Sequence, residues 1–83
     1  MDDARYLSII RETVGDTSTT DTALLNKPIE AFQLDSLDKL EFLMNLEEGF
    51  EVELPLEALD ESMSFQALAQ IIESQISLQF VLL

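Results

Sequence analysis

Leu34-Asp35-Ser36-Leu37-Asp38-Lys39-Leu40-Glu41-Phe42-Leu43-Met44-Asn45-Leu46-Glu47-Glu48-Gly49-Phe50 is the stretch whose reading decides the fold. Its apolar residues recur every three or four positions, so Leu37 to Phe50 reads as one helix. At about 100° per residue, Phe42, Leu43, Leu46 and Phe50 share one arc, the core face. Leu37, Leu40 and Met44 fall on a second arc roughly opposite, bordered by Glu41, Glu47 and Glu48. A helix apolar on two sides is either sandwiched on both or keeps one side for a partner. Ser36 falls in the first turn, where backbone N–H groups lack intrahelical acceptors and the helix dipole favours negative charge. That position suits a hydroxyl destined to carry a phosphate ester. The alternative is that Asp35 or Ser36 simply caps the helix.

Outward from that helix the chain reads as further helices. Upstream, Asp2 and Asp3 open a helix running to about Val14, with Tyr6, Leu7, Ile10 and Val14 as its inward stripe and Gly15-Asp16 as its stop. Thr17 to Thr22 reads as loop. Ala23-Leu24-Leu25 and Ile29, Ala31 and Phe32 return apolar groups around Pro28, enough to pin a long first loop over the bundle. Downstream, Glu51-Val52-Glu53-Leu54 looks extended, and Pro55 opens a short helix ending by Ser62, with Leu56 and Leu59 on its apolar side. Ser64 is the expected N-cap of a last helix whose stripe is Phe65, Leu68, Ala69, Ile72 and Ile76. The tail alternates as a strand would from Ile76 to Phe80, yet Ile76, Phe80 and Leu83 also prolong the helical stripe. Residues 77–83 therefore have three candidate uses: packing, self-association or docking. The expected fold is all-α, a four-helix bundle with three longer helices, a short third helix and a long first loop, in a single domain spanning 1–83.

Composition excludes more than it selects. Seventeen acids face four bases, a formal charge of −13, and no positive charge follows Lys39. Such a field disfavours nucleic acid and anionic membranes and favours partners with basic patches; a plain solubility device is the competing explanation. With no histidine and no cysteine there is no Ser-His-Asp triad, no thiolate nucleophile and no zinc-type ligand set. Glu47 to Glu61 lacks the Asp-rich, Gly-centred loop of an EF-hand. No apolar run is long enough to span a bilayer, and no secretory n- and h-region opens the chain, so a cytoplasmic, non-enzymatic protein is expected.

The run Leu34-Asp35-Ser36-Leu37-Asp38, followed by Glu41, Met44, Leu46-Glu47-Glu48, Phe50, Glu53 and Pro55, resembles the acyl carrier proteins. Asp-Ser-Leu alone is a weak signal; joined to Leu-Glu-Glu-x-Phe and a Pro-started short helix it is a strong one. The resemblance implies a four-helix bundle in which Ser36 receives 4′-phosphopantetheine from coenzyme A, with Asp35 and Leu37 completing the attachment motif. It implies partner contacts through Asp38, Leu40, Glu41, Met44, Glu47 and Glu48, made with a phosphopantetheinyl transferase and acyl-processing enzymes that carry basic docking patches. It also implies an acyl cavity lined by Phe42, Leu46, Phe50, Leu59, Leu68 and Ile72. A monomer is expected. Three positions depart from the family pattern: Gln33 stands where glycine is usual, Lys39 places a cation in the helix, and Phe42 replaces a smaller aliphatic residue. Cargo in fatty acid or specialised polyketide and lipid pathways is one reading; a peptidyl or aminoacyl carrier and an unmodified acidic interaction module are the others.

Overall fold

The computed structural model describes the backbone of residues 2–82 and the side chains of residues 2–76. The described residues are all-α, with four α-helices: α1 (Asp3–Val14), α2 (Asp21–Asn26), α3 (Ser36–Phe50) and α4 (Phe65–Leu82). Two 3₁₀ turns, Ile29–Phe32 and Leu56–Ala58, complete the order. Among the described residues there is no strand, only an isolated bridge between Pro28 and Ser64.

The ends of the helices follow local chemistry. Asp2 caps α1, accepting from the Arg5 amide, and Gly15 closes it at φ 70°, a backbone state that favours glycine. Beyond it the Asp16 carboxylate gathers the amides and hydroxyls of Ser18 and Thr19. Those hydrogen bonds, the Thr19 hydroxyl foremost, hold the Asp16 carboxyl well below the usual carboxylate range. Arg11 reaches over the same loop to the Thr19 carbonyl at 2.9 Å and the Asp21 carboxylate at 2.5 Å.

The first loop is less bare than its composition suggests. Thr20 accepts from the Ala23 amide and starts α2, so the Thr-rich stretch ends in a helix cap rather than continuing as loop. Leu24 and Ile29 are fully buried, which pins the segment over the bundle as expected. Conversely, the short helix expected after Pro55 is only the 3₁₀ turn Leu56–Ala58. Pro55 precedes it as its cap, and the turn is over before Ser62. Leu56 faces solvent and Leu59 is only half-buried against the core, so this piece has little apolar burial with which to extend a helix.

Tyr6, Ile10, Leu24, Ile29, Phe42, Leu43, Leu46, Val52, Leu54, Phe65, Leu68, Ala69 and Ile72 form the core. Phe42 meets Phe65 edge-on at 5.3 Å, and Phe32 meets Phe65 from another side at 5.5 Å. Among the described residues no charged side chain is buried and no buried polar side-chain atom lacks a partner. Ser64 caps α4 through the Ala67 amide at 3.1 Å. The backbone of α4 continues as helix to Leu82, which decides helix over strand for the tail. The three uses weighed for residues 77–83 turn on side chains that lie outside the described residues.

Candidate functional site

Ser36 is set in place by the segment before it. The Ile29 amide donates to the Met63 carbonyl and the Glu30 amide to the Glu61 carbonyl, both at 2.9 Å, fastening the first 3₁₀ turn to the segment that leads into α4. Gln33 then turns left-handed, φ 53° and ψ 46°, with its amide on the Glu30 carbonyl. That turn points the chain into α3. It also gives the usual glycine at this position a physical reason, since glycine alone adopts this conformation without cost.

Asp35 is extended, φ −82° and ψ 178°, and its carboxylate accepts the Asp38 amide at 2.8 Å while its carbonyl accepts the Lys39 amide. The cap is therefore Asp35. Ser36, the first helical residue, is exposed, and among the described residues its hydroxyl has no hydrogen-bond partner. The two alternatives for Asp35 and Ser36 thus separate: one side chain closes the helix and the other is left free.

The two arcs of α3 behave differently. Phe42, Leu43 and Leu46 are buried and Phe50 is half-buried. Leu37, Leu40 and Met44 are 61%, 47% and 57% exposed, a row of large apolar groups without internal partners. Glu41 and Glu48 beside them are exposed, and Asp38 and Glu47 are half-buried. Lys39, at the edge of the buried arc, pairs with Glu61. Among the six residues assigned to the acyl cavity, Phe42, Leu46, Leu68 and Ile72 are buried in the core, with Phe50 and Leu59 packed against it.

Sequence reasoning missed the lower end of this surface. An open groove of about 600 Å³ runs from Met44 past Glu47, Glu48, Glu51, Val52 and Glu53 to Gln75. Four carboxylates stand at the negative end of the α3 dipole with no base in the last turn. The signal was present as four glutamates within residues 47–53. Among the described residues no three acidic side chains converge as metal ligands. None of the described helices is long and apolar enough to cross a membrane.

An exposed, unpartnered hydroxyl at the start of a helix fits a phosphodiester-linked group, because the bulk of such a group projects into solvent and needs no preformed pocket. The family model described as the phosphopantetheine attachment site matches residues 7–72. No curated protein and no solved structure gives a significant match. The family match takes in α2, α3 and most of the core. The chain therefore belongs to the phosphopantetheine-attachment family, that of the acyl carrier proteins, whose domain is the site of covalent 4′-phosphopantetheine attachment.

Proposed function

We propose that this chain is an acyl carrier protein that holds its prosthetic arm on Ser36 and presents acyl intermediates as thioesters to the enzymes of fatty acid or specialised polyketide and lipid biosynthesis. In this reading 1–83 is one carrier domain, monomeric and cytoplasmic, acted on by its partners and without catalysis of its own. The arm supplies the thiol that the cysteine-free chain lacks. The observation that carries the proposal is the free Ser36 hydroxyl beside the Asp35 cap.

The roles of the surrounding residues follow. Asp35 holds the helix start in register and offers its outward oxygen to the transferase and its Mg²⁺. Leu37, Leu40 and Met44 give short-range apolar anchorage, and Asp38, Glu41, Glu47 and Glu48 steer encounter with basic patches. Fast, weak, electrostatically guided contacts suit a protein that serves several enzymes in turn.

A peptidyl or aminoacyl carrier is the second reading. It gains support from the Phe42–Phe65 contact: two packed rings between the helices would leave less room for an acyl chain to withdraw, which favours cargo that stays outside.

Intact-mass spectrometry after incubation with coenzyme A and a phosphopantetheinyl transferase tests the proposal. The wild type should gain one phosphopantetheine and Ser36→Ala none, with an unchanged melting temperature because Asp35 keeps the cap. Asp35→Asn should slow loading while preserving the helix, since asparagine caps as well as aspartate. A wild type that gains no mass under conditions that load other carriers defeats the proposal.

A further inference from the structure

Lys39 is the one cation of α3, and Glu61 holds it in place. It lies three residues after Ser36, and side chains at that spacing are neighbours on one helix face, about 5–6 Å apart at Cβ. Helical side chains lean toward the N-terminus, so Lys39 starts out on the side of α3 that leads back to the turn containing Ser36. Its partner comes from the same end of the bundle, because the Glu61 carbonyl is tied to the Glu30 amide just upstream of Ser36. Asp35 caps the same helix start, and Asp38, Glu61 and the upstream Glu30 add further carboxylates around it. A phosphodiester on Ser36 would add another negative charge, and Lys39 is the cation of α3 placed to offset it.

We infer that Lys39, held by Glu61, is the positioning residue for the phosphodiester on Ser36. An ammonium has three N–H donors, and one directed at Glu61 leaves two for phosphate oxygens. Glu61, Lys39 and the phosphate then form an ion chain that fixes the root of the arm against α3. The inference rests on Ser36 as the attachment point. It goes beyond that reading by giving this chain's departure from the family pattern at Lys39 a task.

The test compares apo and holo protein for the wild type, Lys39→Met and Lys39→Arg, with loading followed by intact mass. The melting-temperature change on loading should be more unfavourable in Lys39→Met than in the wild type by about 2–4 °C, shrinking with salt. Lys39→Arg should behave as the wild type. The phosphorus resonance of holo Lys39→Met should move toward that of unattached 4′-phosphopantetheine. If Lys39 serves only to pair with Glu61, Lys39→Met changes apo and holo stability equally and leaves the phosphorus resonance alone, and that result overturns the inference while sparing the attachment reading. A wild type that never loads overturns both. Should Lys39→Met resist the transferase, Glu61→Gln carries the same test: loosening Lys39 should shift the holo phosphorus resonance, and an unmoved resonance overturns the inference.

Discussion

The Tyr6 hydroxyl donates to the Phe65 carbonyl at 2.5 Å, joining the first turn of α1 to the first residue of α4 across 59 positions of sequence. The bond is buried, and it ties α1 directly to α4. The Phe65 carbonyl, at the first residue of α4, keeps its intrahelical donor when the hydroxyl is removed, so Tyr6→Phe should cost about 1 kcal/mol, or a few degrees in melting temperature. Burial also pushes the phenol far above its ordinary ionisation. A raised folded value means that the contribution is complete below about pH 10, the unfolded value, and is lost as pH rises through the folded one. Tyr6 is the single tyrosine and there is no tryptophan, so phenolate absorbance reads this group alone. Alkaline titration should show no phenolate until the protein unfolds; a smooth titration near pH 10 in folded protein would contradict the burial.

Gln33 and Glu51 are the two non-glycine residues with positive φ, 53° and 55°, among the described residues. Each sits at the exit of a helical segment, and the Glu47 carbonyl accepts from both Glu51 and Val52 to finish α3. A non-glycine side chain there costs about 1–2 kcal/mol, partly offset by the lower entropy of its unfolded chain. Glu51 additionally sets a negative charge at the negative end of a helix. Glu51→Gly should therefore stabilise by about 1 kcal/mol and Gln33→Gly by about half as much, read by denaturant midpoints. Glu51→Gln separates charge from backbone and should recover only the smaller electrostatic share.

What the sequence disclosed and what it hid divide along range. The spacing of Phe42, Leu43 and Leu46 reveals the buried face of α3 because helical period is local; the same arithmetic gives Leu40 and Met44 as a second apolar arc, and the fold decides that this arc is exposed. A cap at Asp35 or Ser36 is likewise a four-residue matter, and the structure selects Asp35. Helix α2 had a local signal too, Thr20 before Asp21 and an apolar triplet, but one six-residue helix is decided by the burial of Leu24, which only the fold provides. The short length of the Leu56–Ala58 turn has the same cause in reverse, an exposed Leu56. The left-handed state of Gln33, the Tyr6–Phe65 bond and the identity of the Lys39 partner depend on segments distant in sequence, and no local pattern encodes them.

Core and cargo share residues under the proposed function. Leu46 is fully buried, so Leu46→Ala should cost roughly 2–5 kcal/mol, a large part of the stability of so small a domain. On that reading Phe42, edge-on to Phe65, would take space that a long acyl chain needs. Short or polar attached groups should therefore raise the melting temperature at least as much as long acyl chains do. Phe42→Leu opens room beside Phe65 and should reverse that order, with long chains stabilising more. Equal stabilisation by short and long chains in both proteins would remove Phe42 as the determinant of cargo.

The exposed arc of α3 leads to the sharpest separation of function from fold. Leu40 and Met44 are about half exposed, so truncating either to alanine removes little buried area and should change stability by no more than about 0.5 kcal/mol. Under the docking proposal the same truncations slow phosphopantetheine transfer severalfold, because apolar anchors at the centre of an interface carry most of its short-range energy. Charge reversal at Glu41 and Glu48, both exposed, should slow transfer through the encounter step and leave helicity intact. The wild-type rate should fall with added salt, since exposed charges are screened over about 8–10 Å at physiological ionic strength. The charge-reversed protein, with less attraction to lose, should respond to salt less than the wild type. Circular dichroism, melting temperature and transfer rate measured together decide the matter. Transfer rates that ignore salt and survive Leu40→Ala and Met44→Ala would mean that partners approach Ser36 from another side, and the exposed row of α3 would need a different explanation.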